Sequence, residues 1–94
     1  MLLDIPVEFI AKAGGEQYTG RSKDISLGGM FVFVQTPLPF GTELVVHMQL
    51  PGQKAPFALP GVVRWSRTGE GMGIQFQLMG ARETHAITEL TKEP

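Results

Sequence analysis

Ninety-four residues, 43% hydrophobic and 18% charged, give an ordinary globular composition with room for one hydrophobic core. Eight basic against nine acidic residues leave a net charge of −1, which disfavours a nucleic-acid-binding surface. The absence of cysteine excludes disulfides, thiolate metal sites and a cysteine nucleophile.

Met1-Leu2-Leu3-Asp4 has no basic n-region and no extended apolar core, so it is not read as a signal peptide. Ile5, Val7, Phe9 and Ala11 then alternate with Pro6, Glu8, Ile10 and Lys12, the pattern of a half-buried strand. Pro6 places the start of that strand at an edge or a strand beginning. Ala13-Gly14-Gly15-Glu16 is a turn, and Tyr18 to Lys23 is a second, more polar strand. It runs into Asp24-Ile25-Ser26-Leu27-Gly28-Gly29. Asp and Ser two residues apart fold their side-chain oxygens onto nearby backbone N–H groups, and paired glycines allow positive φ or a close backbone approach. This is a polar, tightly turned corner.

Met30 to Val34 is the third strand, apolar on both faces, with Met30, Val32 and Val34 on one and Phe31 and Phe33 on the other. The second apolar face calls for a partner or for cover by the C-terminal helix. Thr36-Pro37-Leu38-Pro39-Phe40-Gly41 breaks strand pairing. Leu44, Val46, Met48 and Leu50 alternate with Glu43, Val45, His47 and Gln49 as the fourth strand. Pro51-Gly52-Gln53-Lys54 is a hairpin-type turn. Phe57, Leu59, Val63 and Trp65 share one parity of a long fifth strand that Pro60-Gly61 is expected to bend or bulge, which assigns Trp65 to the core. After the Arg67-Thr68-Gly69-Glu70-Gly71 turn, Met72, Ile74, Phe76 and Leu78 mark the sixth strand. Ala81 to Lys92 reads as a short helix with a narrow apolar stripe, stable only when docked.

Six closely spaced strands predict an all-β fold, a six-stranded antiparallel β-barrel with a short C-terminal α-helix. The domain is expected to be single over residues 1–94, with the barrel from Ile5 to Leu78 and the helix from Ala81 to Lys92. The longest uninterrupted apolar run, Met30 to Val34, is far short of the ~20 residues of a membrane helix. A cytoplasmic protein without membrane insertion is expected. Catalysis is not. His47 and His85 lie far apart without further ligands, so no metal is expected. Ser26 has no G-x-S-x-G elbow around it, and Gly69-x-Gly71-x-Gly73 lies between strands, where no helix follows to make a phosphate loop. An oligonucleotide-binding barrel would need a basic groove with exposed aromatics, and no basic stripe is present.

From Ile5 to Leu78 the chain resembles the PilZ domain family, small bacterial β-barrels. The resemblance is carried by Ile5-Pro6-Val7, Asp24-x-Ser26-x-x-Gly29, Pro37-x-Pro39-x-Gly41, Gly61-x-Val63-x-Trp65 and Gly71-Met72-Gly73-Ile74-x-Phe76. The order and spacing look most like paralogues of gliding soil bacteria. The resemblance implies a receptor for the second messenger cyclic di-GMP. In the family, an R-x-x-x-R segment before the first strand grips guanine edges and phosphates, opposite the D-x-S-x-x-G corner. Here Met1 to Asp4 contains no arginine, and no two of Arg21, Arg64, Arg67 and Arg82 have the four-residue offset. The expectation is therefore a non-enzymatic adaptor that contacts a bacterial motility or signalling protein without binding cyclic di-GMP, and without a cofactor. The second reading is a cyclic di-GMP receptor whose half-site is Asp24, Ser26 and Gly29, with Arg21, or an arginine from a partner, as substitute for the missing clamp.

Overall fold

The structure is a computed structural model and describes residues 2–50, 52 and 55–91. The strands are β1 (Leu2–Ala11), β2 (Gln17–Ile25), β3 (Gly29–Phe33), β4 (Glu43–Met48), β5 (Phe57–Arg67) and β6 (Gly71–Phe76), followed by the helix α1 (Ala81–Thr91). Every pairing is antiparallel, and the sheet closes in the order β1-β2-β3-β6-β5-β4 with β4 returning to β1. Closure removes the exposed edges that an open six-stranded sheet would carry. The expected fold class is the observed one. The 51–54 turn falls outside the described residues except for Gly52, as does Lys92 at the expected end of the helix.

Period-two alternation sends Val7 and Phe9 of β1, Met30 and Val32 of β3, and Leu44, Val46 and Met48 of β4 into one buried core. Phe57, Leu59 and Val63 of β5 join Met72, Ile74 and Phe76 of β6 there. β4 pairs with β1 only from Glu8 to Ala11, so Pro6 lies beyond the end of that ladder, where a missing N–H is tolerated. The helix adds Ala86 and Ile87 to the core and lays the Arg82 guanidinium 4.1 Å from the centre of the Phe57 ring. It therefore docks where β5 begins, with Leu90 packed at the margin.

Three interruptions of the register decide what faces outward. They lie between Leu2 and Ile5 in β1, between Ser22 and Asp24 along β2, and between Val63 and Trp65 in β5. The last corrects two expectations. β5 runs through Pro60-Gly61 in register with Val45 and Leu44, and the irregularity falls at Arg64 instead. One extra residue reverses the parity beyond it. Trp65 accordingly turns outward, 39% exposed, opposite Gly73, and is not a core residue. Phe31 and Phe33 form the outer face of β3, away from Phe57 and the helix that packs on it. The helix does not cover them.

Candidate functional site

The register shift in β2 builds the site. Ser22 is buried between Ile5 and Val32, and Ile25 is buried opposite Met30. With strict alternation only Lys23 would fit between two inward residues, but two residues, Lys23 and Asp24, span this gap. Both therefore join Arg21 on the outer surface. Strand alternation alone places Arg21 and Lys23 together. The bulge adds Asp24.

Asp24 then leads into the corner. Ser26 N–H donates to the Gly29 carbonyl at 2.8 Å, and Ser26 Oγ donates to the same oxygen at 3.4 Å. Phe76 N–H donates to the Gly28 carbonyl at 2.9 Å, which ties the corner to the end of β6. Neither Gly28 nor Gly29 has positive φ. What requires glycine at 29 is the approach of β6: a Cβ there would lie 2.2 Å from the Ile74 carbonyl oxygen. Of the two glycine roles read from the sequence, close approach is the one used. Leu27 at the tip is 47% exposed.

On the barrel's outer face, Arg21 is the register partner of Phe33 on β3 and of Pro6 on β1. Its Nε donates to Asp4 Oδ1 at 2.7 Å and its Nη2 to the Asp4 carbonyl oxygen at 3.2 Å. Lys23 Nζ reaches Asp4 Oδ2 at 3.4 Å and stands 6.0 Å from the centre of the Phe33 ring. The Arg21 hydrogen bond, aided by Lys23, holds the Asp4 carboxyl below the usual carboxylate range. A groove of about 700 Å³ runs from Arg21 and Phe33 along Tyr18, Thr19 and Val34. Further round the barrel, Asp24 pairs with Phe31, Phe31 with Gly73, and Gly73 with Trp65. Gly73 presents no side chain, and the Phe31 and Trp65 rings meet across it with centroids 5.6 Å apart. Arg67 stands 5.5 Å from the centre of the Trp65 ring.

The structure thus brings Asp24, Ser26, Gly29 and Arg21 to one side of the molecule, on β2, the start of β3 and the corner between them. Arg64 and Arg67 are elsewhere, Arg64 donating to Gln75 Oε1 at 2.8 Å and Arg67 pairing with Glu70 at 3.3 Å. Sequence reasoning missed Asp4, and read Phe33 only as part of an apolar face awaiting a partner or the helix. The signal for Phe33 was its place two residues from Phe31 on a strand whose other face already filled the core. Asp4 carried only the signal of a lone charge in an apolar opening stretch.

Chemically, the assembly joins a guanidinium and an ammonium, which bind phosphate or the O6/N7 edge of guanine, to a carboxylate that accepts from guanine N–H groups. Exposed aromatic rings beside them offer flat surfaces for stacking. Among the described residues no group of three or more His, Cys, Asp or Glu is placed to hold a metal ion. No helix among them is long and apolar enough to cross a membrane.

The chain is 32% identical over 89 residues to the cellulose synthase catalytic subunit (UDP-forming) of Xanthomonas axonopodis pv. citri, a match covering 95% of this chain. It spans only 12% of that protein's length. Its fold is similar to the PilZ domain of CeSA from a cellulose-synthesizing bacterium, with a TM-score of 0.72 and 23% identity, covering 96% of this chain and 91% of that one. It is also similar to the Bacillus subtilis inhibitor of motility MotI/DgrA, with a TM-score of 0.70 and 21% identity over all of this chain and 51% of that one. A third likeness is to K. pneumonia MrkH in its apo state, with a TM-score of 0.68 and 21% identity over 94% of this chain and 45% of that one.

These relatives overturn two expectations, that the chain is an adaptor that does not bind cyclic di-GMP and that this nucleotide is not its ligand. The physical reason is that the clamp missing before the first strand outweighed Arg21, which only the second reading had named as its substitute. The outer face of β2 supplies two cations, and the bulge sets them beside Asp24. The relatives support the family and not the finer assignment to paralogues of gliding soil bacteria. They agree with the expected absence of catalysis, since PilZ domains are regulatory modules. A model of the PilZ domain matches residues 3–93, nearly the whole length of the chain, and the chain belongs to the PilZ domain family.

Proposed function

We propose that this chain is a cyclic di-GMP receptor domain, with Asp24, Ser26 and Gly29 as the corner half-site and Arg21 as the cation in place of the R-x-x-x-R clamp. The observation that carries this reading is the β2 bulge, which gathers Arg21, Lys23 and Asp24 on one outer face. Arg21 and Lys23 offset the two ligand phosphates, and Asp24 takes the guanine N–H donors. Ser26 and Gly29 hold the corner that aims Asp24. Phe33, 42% exposed beside Arg21, offers a ring for a base to lie on.

The domain is a ligand-sensing module that passes its state to a protein partner. The names of the relatives, a cellulose synthase subunit and an inhibitor of motility, point to bacterial motility or cell-surface machinery as the class of that partner. The whole domain is read as one unit from β1 to α1, acting in the cytoplasm, where cyclic di-GMP is made.

The test is a calorimetric titration with cyclic di-GMP of the chain and of its Arg21→Ala and Asp24→Ala variants. The receptor reading expects binding that each variant weakens at least about tenfold, the loss of one charge-assisted contact. Equal affinity in all three would place the ligand elsewhere on the barrel.

A further inference from the structure

The cations of the proposed site are already engaged by an anion of the chain itself. Asp4 accepts from Arg21 through both a carboxylate oxygen, at 2.7 Å, and its main-chain oxygen, at 3.2 Å. Its other carboxylate oxygen takes Lys23 at 3.4 Å. A carboxylate bridging a guanidinium and an ammonium uses the same donors that a phosphodiester would. Asp4 takes two of the five Arg21 N–H donors and one of the three on Lys23, so an incoming phosphate competes with it for the charge and the nearest donors of both cations. Asp4 also adds a negative charge where a doubly anionic ligand must approach.

The contact is open to exchange. The side chains of Arg21, Lys23 and Asp4 are 49%, 43% and 58% exposed, so water or an incoming anion reaches all three. Exposed pairs of this kind are weak enough to be displaced by a better-charged ligand. The β1–β2 ladder is carried from Ile5 to Ile10, and Asp4 lies in the irregular stretch between Leu2 and Ile5.

We infer that Asp4 is an internal competitor for phosphate, engaging Arg21 and Lys23 in the free protein and setting the affinity of the site by competing for their charge and nearest donors. The inference rests on the cyclic di-GMP reading for its biological ligand, while the competition itself is with any phosphate group. Asp4 is a positioning and affinity-setting residue, not a ligand contact. Its effect is opposite in sign to that of every other polar residue in the site: removing it strengthens binding.

The experiment titrates cyclic di-GMP into the unaltered chain, Asp4→Asn, Asp4→Ala, and each of these combined with Arg21→Ala. Asp4→Asn and Asp4→Ala are expected to tighten binding by about three- to tenfold at low salt, and by less at high salt, as for an exposed ion pair. The gain is expected to vanish when Arg21 is replaced, because the competition acts through that guanidinium. A parallel titration with inorganic pyrophosphate, followed by the Arg21 side-chain N–H resonance, separates this inference from the receptor reading. A gain in pyrophosphate affinity in Asp4→Ala, without cyclic di-GMP binding in any variant, would keep the competition and remove the receptor. Unchanged or weaker affinity of Asp4→Asn and Asp4→Ala for both probes, with melting temperatures that show both variants folded, would overturn the inference.

Discussion

At the residue scale, charge and burial assign separable roles to neighbours on β2. Arg21 and Asp24 are exposed, so in the proposed receptor their replacement removes ligand contacts at little cost to the fold. We expect Arg21→Ala and Asp24→Ala to change stability by less than about 1 kcal/mol in urea unfolding, the range of exposed polar substitutions. Ser22, between them in sequence, is the reverse case. Its hydroxyl is fully buried and has no hydrogen-bond partner among the described residues. Ser22→Ala removes a desolvated polar group, and unfolding midpoints should show it neutral or about 1 kcal/mol more stable. Asp4 adds a pH signature. Its folded pKa lies below the ordinary value of 3.8 because Arg21 donates to it. A depressed carboxylate stabilises the fold above its unfolded pKa, and that contribution is lost as pH falls through the folded value. Thermal melts taken from neutral pH into the acid range should therefore show a shallower acid loss for Asp4→Asn than for the unaltered chain.

At the element scale, the corner and the barrel are one construction. Gly29 lets β6 pass so closely that any side chain would meet the Ile74 carbonyl oxygen. Gly29→Ala is expected to cost about 2–4 kcal/mol, as overpacking against backbone does, and to be read as a lowered unfolding midpoint. Loss of ligand binding in that variant would follow from a displaced corner. The helix is held by burial in the same way: Ile87 is fully buried, and Ile87→Ala should cost about 2–5 kcal/mol. The elements themselves were legible because their apolar period is two and their turns carry Gly and Pro, so six strands and a helix emerged close to their observed bounds. The bulges were not. An extra residue at Arg64 or beside Lys23 leaves the local pattern of residue types almost unchanged while reversing every parity beyond it. Trp65 was placed in the core for that reason, and the bulge that sets both Lys23 and Asp24 on the outer face went unseen.

At the scale of the whole molecule, a net charge of −1 conceals a local arrangement in which two cations, Arg21 and Lys23, and two carboxylates, Asp4 and Asp24, share a single face. Composition disfavours a broad nucleic-acid surface, yet it averages away a site needing only two cations. The corner motif was readable because D-x-S-x-x-G is contiguous. Arg21 was readable as a substitute cation, but its surroundings were not, because Asp4, Arg21 and Phe33 come from three strands and meet only through register. The same arrangement makes binding sensitive to salt, since exposed charges are screened within about 8 Å at physiological ionic strength. Affinity for a doubly charged nucleotide should fall steadily as salt rises.

The measurement that bears most directly on the account is calorimetric titration of this chain with cyclic di-GMP at near-physiological salt. The account predicts saturable binding in the micromolar range or tighter, lost on Arg21→Ala and on Asp24→Ala while both variants remain folded. Absence of heat and of any shift in melting temperature at saturating nucleotide would contradict it, and would leave the Asp24–Gly29 corner as a device for closing the barrel.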